Sequence, residues 1–198
     1  MISACLIGIT NAFIFCFYAE GPFIFINHVK LSSQEYGLLG IFIAVASIFG
    51  GFAYRHLQKG LEDKTIAYLG GLMSFIGSGL MLFGLIVLNS VGAEKHVIIS
   101  IIVIMLPFML ISFGSFGLVV PVVLSQALVK YQDCLGTAGA LFGLLYYMVL
   151  SVLTWTMGLI HNKTLWPMPS YFFVLSFVML LMFKASSRKS KTDLYDFQ

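Results

Sequence analysis

The stretch FYAEGPFIFI, Phe17 to Ile26, sets a carboxylate, a Gly-Pro pair and four aromatic rings near the end of the first of several long apolar runs. Glu20 is the only acidic residue inside a run long enough to cross a bilayer. A charge at such a position is costly, so it implies either a polar cavity beside it or a membrane interface within reach.

The surrounding composition makes the crossing argument strong. Of the 198 residues, 60% are hydrophobic and 10% charged, against about 25% charged in soluble domains. At about 20 residues per crossing, six apolar segments fill the chain: Ile2 to Ile26, Tyr36 to Tyr54, Ala67 to Leu88, Val97 to Leu128, Cys134 to Ile160 and Pro169 to Phe183. The expected fold is an all-α integral membrane bundle of six transmembrane helices over residues 1–185, followed by a polar cytoplasmic tail, 186–198. Residues 2–19 do not read as a signal peptide, because they lack a basic n-region and the apolar stretch is too long. Cys5, Cys16 and Cys134 are odd in number and lack metal-ligand spacing, so they read as reduced packing residues, with no metal and no cofactor implied. The net charge of +3 belongs to the connections, and no basic stripe suits nucleic acid.

The first and fourth segments are long and interrupted. Gly21-Pro22 frees the carbonyl of Tyr18, and Pro107 and Pro121 free those of Val103 and Gly117, so helix breaks are expected at these prolines. Arg55, Lys59, Lys64, Lys130, Lys184, Arg188, Lys189 and Lys191 fall on one side of the bundle; Lys30, Lys95 and Lys163 fall on the other. The excess places the even-numbered segment ends, and both termini, in the cytoplasm. Gly40/Ala44, Gly70/Ser74/Ser78 and Gly139/Gly143 recur at four-residue spacing and read as close helix contacts. Trp155 and Trp166 bracket the outer end of the fifth segment and read as interface anchors.

Segments one to three and four to six repeat one plan, a long interrupted helix and then two regular ones. With three crossings per unit the second copy enters from the opposite side, an inverted repeat whose paired interrupted helices are candidate cavity walls. The substrate-cavity candidates are Asn11, Phe15, Tyr18 and Glu20 on segment one, and Phe108, Ser112, Phe116 and Gln126 on segment four. Rings there suit flat or cationic ligands, although they equally suit packing, and interhelical hydrogen bonding competes for the polar groups. Glu20 lies roughly 27 Å along its helix from Ile2. It reads either as a carboxylate reaching to outer water or as a proton-coupling group at the top of a cavity. Intramembrane catalysis is not expected: His28, His56, His96 and His161 lie in connections or at helix ends, leaving Ser115 without a base. The basic connection Arg55 to Lys64 reads as a positive-inside loop, or as a latch through Glu62 and Asp63.

The runs FYAEGPFIFINHV and SSQEYGLLG, then GLVVP, CLGTAGALFG and LWPMPSYFFV, resemble the C-terminal half of the Bcr/CflA drug-resistance transporters of the major facilitator superfamily, from residue 11 to about 184. Gly21-Pro22-Phe23 matches the family's seventh helix and Gly136-Thr137-Ala138 its eleventh. The resemblance implies a bacterial inner-membrane drug:proton antiporter working by alternating access, with a cavity between two six-helix halves and segments one and four lining it. Two departures stand out: Val122 follows Pro121 where many members carry a polar residue, and the N-terminal half, with its loop motif and most proton-coupling residues, is missing. Met1 opens directly on the apolar run, so segment one lacks a basic anchor of its own.

The expected function is therefore that of half of a multidrug exporter, exchanging a small amphipathic or cationic compound for protons. It would act in the lipid bilayer with a second six-helix half or as a homodimer. The alternatives are a non-transporting truncated remnant or accessory bundle, and a six-helix permease that shares only the architecture.

Overall fold

The computed structural model describes residues 2–91, 97–128, 135–162 and 164–195. In chain order it contains α1 (Ile2–Gly21) running into a π-helical turn (Pro22–His28), then α2 (Ser33–Leu57) and α3 (Asp63–Val91). The second half contains α4 (Val97–Ser112), a second π-helical turn (Phe113–Val119), α5 (Val120–Leu128), α6 (Leu135–Ile160) and α7 (Pro167–Tyr195). Among the described residues there is no strand, and six helices are long and apolar enough to cross a membrane. Cys134, Lys130, Lys95 and Lys163 lie outside the described residues. α7 continues as helix past residue 185 to Tyr195.

The expected breaks at Gly21, Pro22, Pro107 and Pro121 are not breaks. Segment one stays helical through Pro22, which opens the first π turn, and Val29 N–H then reaches back five residues to the Ile24 carbonyl. Segment four holds Pro107 inside α4, buried, and widens only at Phe113–Val119, where the Val120 N–H donates to the Ser115 carbonyl. Pro121 sits in the first turn of α5. Lipid supplies no hydrogen-bond partners, so widening to i→i+5 bonding lets carbonyls stranded near a proline be satisfied without leaving the helix. The two π turns follow α1 and α4, the first helices of the two three-span units.

The second π turn is also the crossing point of the bundle. A Cβ on Gly50 would lie 2.6 Å from the Phe113 carbonyl oxygen and 2.7 Å from Gly117 Cα, and one on Gly70 would lie 2.6 Å from the Gly114 oxygen. Backbone therefore meets backbone where α2 and α3 cross Phe113–Val119, an approach that only residues without side chains allow. Serines pin neighbouring levels: Ser47 Oγ lies 2.7 Å from Ser112 Oγ, and Ser78 Oγ lies 2.7 Å from Ser176 Oγ. Of the expected small-residue contacts, Gly70, Ser74 and Ser78 are used, and Gly40 faces the Tyr18 hydroxyl. Gly139 has nothing within 4 Å and Gly143 meets only Tyr146 of its own helix. That pair marks no helix contact among the described residues.

The core lies where spans one, four and six meet. Phe17 stacks on Phe108 with ring centroids 3.9 Å apart, while Phe172 closes on Phe108 and on the edge of Phe13. α1 is the central helix, flanked by α6 and α7, and α3 packs along α4 and α7. The spans on α2 and α6 are mostly open, 17% and 6% buried, against 56% for the span through α1. α2 starts cleanly on a capping box: Ser32 Oγ accepts from the Glu35 N–H, and the Glu35 carboxylate accepts from the Ser32 N–H. Before it the chain turns through Lys30 in the left-handed region, φ 66°.

Candidate functional site

Glu20 is 7% exposed and turned into the bundle. Its Oε2 lies 2.8 Å from Nδ1 of His161, the first residue beyond α6. The expectation of a carboxylate reaching to water is therefore replaced by a buried carboxylate held by an imidazole, a hydrogen bond that becomes an ion pair when the ring is protonated. α1 and α6 run side by side in the same direction, which brings their far ends together. The His161 N–H bonds the Met157 carbonyl, continuing the winding of α6 by one residue and aiming the ring at α1. Phe23, in the first π turn, sets its ring edge-on to His161 with centroids 4.7 Å apart, and the His28 ring lies 5.7 Å from that of Phe23.

Polar groups continue down the same seam. Cys16, one turn before Glu20, is fully buried beside Thr154 of α6, whose Oγ1 is buried with it. The Tyr171 hydroxyl, from α7, donates to the Leu153 carbonyl. The Tyr36 hydroxyl, buried without a hydrogen-bond partner, presses against Gly21, where a Cβ would fall 2.9 Å from the tyrosine ring.

The other candidates divide into two groups. Phe15 and Tyr18 are 50% and 46% exposed and share one face of α1 with the half-buried Asn11, whose amide donates to the Ile7 carbonyl. These three form an open strip. Phe108 and Ser112 belong to the interior: Phe108 is fully buried between Phe17 and Phe172, and Ser112 bonds Ser47. Neither faces a lumen of this half, because the stripe of α4 that carries them is the one α1, α2 and α7 cover. Phe116 is half-buried, and Gln126, exposed, stands 3.5 Å from the Asp63 carboxylate at the opposite end of the bundle from Glu20. Ser115 donates to the Ile111 carbonyl. No cluster of metal-ligating side chains occurs among the described residues.

His161 is the residue that sequence reasoning missed. Nothing local connects it to a carboxylate 141 positions earlier. The only available signal was that an acidic residue near the end of the first span and a histidine at the end of the fifth fall on the same side of the membrane.

No protein-family model matches the chain. It is 36% identical over 178 residues to a Rickettsia felis protein named "Uncharacterized transporter", covering 89% of this chain and 42% of that protein. It is 33% identical over 175 residues to a Rickettsia bellii protein of the same name, covering 87% of this chain and 43% of the other. The chain thus spans about two fifths of the length of these curated relatives. Six apolar helices make it a multi-pass membrane protein.

Proposed function

We propose that the chain is the C-terminal half of a facilitator-type drug exporter of the Bcr/CflA kind, exchanging an amphipathic or cationic compound for protons by alternating access. The observation that carries this reading is the match of nearly the whole chain to about two fifths of transporter-named proteins. The two π-wound helices at equivalent places in two three-span units support it, since interrupted helices in matched halves are where such transporters bind. The chain sits in a bacterial inner membrane with both termini cytoplasmic, and it works with a second six-helix half or a second copy. It is not an enzyme. Asn11, Phe15 and Tyr18, the open strip of α1, contribute to the substrate wall.

Glu20 is the proton-coupling group in this scheme, and His161 is its partner in the closed state. Opening the Glu20 end separates α1 from the α6–α7 connection, breaks the 2.8 Å contact and exposes the carboxylate to protonation from outside. Drug efflux is measured from cells expressing the chain alone and together with an N-terminal half. Efflux that appears with the partner half and loses its pH dependence in Glu20→Gln is the expected result. Absence of efflux in both conditions would identify a non-transporting remnant or accessory bundle. Efflux in Glu20→Gln with unchanged pH dependence would remove the carboxylate from the coupling step.

A further inference from the structure

Toward its C-terminal end, α2 carries Ile48, Gly51, Phe52 and Arg55 on one stripe, at the three- and four-residue offsets that share a helix face. With Pro121, in the first turn of α5, they line an open groove of about 510 Å³. This is within the usual range of ligand sites, about 300–1,000 Å³. Gly51 forms a notch in it, since a Cβ there would meet nothing within 4 Å, and the exposed side chains of Ile48 and Phe52 stand beside the notch. From Ile48 to Gln58 the groove runs about 15 Å along the helix, the depth of one bilayer leaflet. Arg55 stands in the last turn of the span Ser33–Leu57, where the helix leaves hydrocarbon, and the apolar part of the groove runs inward from it.

The mouth of the groove is built of proton donors. Gln58 Nε2 donates to the Tyr54 hydroxyl, which leaves that hydroxyl's own proton for another acceptor. The carbonyls that end α2 are taken by the chain itself, because those of Tyr54, His56 and Leu57 accept from the Gln58, Lys59 and Leu61 N–H groups. The exposed Arg55 guanidinium is therefore not needed as their cap, and among the described residues it makes no ion pair. Asp63, at the start of α3, faces the Gln126 amide instead. A water-soluble anion would use these donors and leave the notch empty, and a purely apolar ligand would fill the notch and leave the donors unmatched. An anionic phospholipid uses both.

We infer that this groove binds one phospholipid of net negative headgroup from the leaflet at that end, its phosphate on the Arg55 guanidinium and the Tyr54 hydroxyl and an acyl chain in the notch at Gly51. The planar guanidinium fork fits two phosphate oxygens at once. A headgroup that also carries an ammonium would set that cation beside Arg55, and no carboxylate lines the groove to receive it. Every exposed helix face in a bilayer meets lipid, and what distinguishes a site is its preference for one headgroup. The inference depends on the chain crossing a membrane and not on its transporting anything.

The test is lipid binding by the purified full chain in detergent, read by native mass spectrometry. The probes are phosphatidylglycerol and phosphatidylcholine with identical acyl chains, and inorganic phosphate. Phosphatidylglycerol is expected to bind about tenfold more tightly than phosphatidylcholine, the size of one charge-assisted hydrogen bond, and phosphate not to displace it. Arg55→Gln should abolish that preference. Gly51→Leu, which fills the notch and leaves the charges in place, should weaken phosphatidylglycerol by a similar factor. Lys59→Gln, which removes a charge at the same end outside the groove, should change nothing. Circular dichroism verifies that each variant is folded, and the comparison of the two lipids on the unaltered chain stands without any variant. Equal affinity for the two lipids, displacement by phosphate, a preference that survives Arg55→Gln, full affinity in Gly51→Leu, or an equal loss in Lys59→Gln would each overturn the assignment.

Discussion

Oε2 of Glu20 and Nδ1 of His161 are 2.8 Å apart, a contact that ties the end of α1 to the connection between α6 and α7. The pair has one buried member and one partly exposed member, with 9% and 28% of the side chains accessible. Water therefore reaches the imidazole side before the carboxylate side. The Phe23 ring beside His161 comes from the π turn, so changes in the winding of Pro22–His28 act directly on the pair.

Removing either partner should leave the other inadequately satisfied. Glu20→Gln and His161→Gln are each expected to lower stability by about 1–3 kcal/mol, the cost of stranding a buried polar group. The double variant should cost less than the sum of the two, with a coupling of at least about 0.5 kcal/mol. Thermal unfolding of the four proteins in one detergent measures this cycle. Strict additivity would mean that the two side chains do not interact in solution.

Gly50 and Gly51 are adjacent on α2, yet their surroundings differ. A Cβ at Gly50 collides with the backbone of Phe113 and Gly117, whereas one at Gly51 meets nothing within 4 Å. Gly50→Ala must push α2 away from the π turn and should cost about 1–3 kcal/mol. Gly51→Ala should be neutral or stabilising by up to about 1 kcal/mol, the helix-propensity difference. Melting temperatures of the two variants, compared side by side, decide the matter, and similar losses in both would contradict the close crossing of α2 over Phe113–Val119.

Much of the fold was legible in the sequence because lipid leaves few options. Six apolar runs of crossing length have to be helices, and the short connections between them leave a single bundle. The Gly-Pro pair and Pro107 correctly marked the two unusual helices, but not their winding. The candidate site was less legible. Periodicity places Asn11, Phe15 and Tyr18 on one stripe, which is open, but it carries no information on the azimuth of α4, whose Phe108 and Ser112 are buried within the bundle. Gly139 and Gly143 show the same limit from the other side, since small residues identify a smooth face without saying what lies against it.

Phe15 and Phe108 now separate packing from transport. Phe108→Ala empties a site between Phe17 and Phe172 and should cost about 3–5 kcal/mol, visible as reduced folded yield with or without a partner half. Phe15→Ala, on the open strip, should leave the melting temperature nearly unchanged and weaken drug efflux by the complete two-half assembly. Fluorescence-detected size-exclusion gives the first quantity and efflux at matched expression the second. An unstable Phe15→Ala protein, or a Phe108→Ala protein that is stable but inactive, would reverse the roles of the two rings.

Orientation makes the last prediction, because the whole proton scheme requires the Glu20 end to face outward. The basic residues Arg55, Lys59 and Lys64 lie at the end where α2 finishes and α3 starts, and Lys184 joins them from α7. Positive charge is retained on the cytoplasmic side during insertion, so that end is expected inside and the connection preceding α2 outside. Gln34 and Lys59 are both exposed and lie at opposite ends of α2. With Cys5, Cys16 and Cys134 replaced by alanine, a single cysteine at position 34 should react with an impermeant maleimide in intact cells, and one at position 59 only after the membrane is permeabilised. The opposite pattern would place Glu20 and His161 at the cytoplasmic face, where the carboxylate could not take up protons from outside and the proposed direction of exchange would fail.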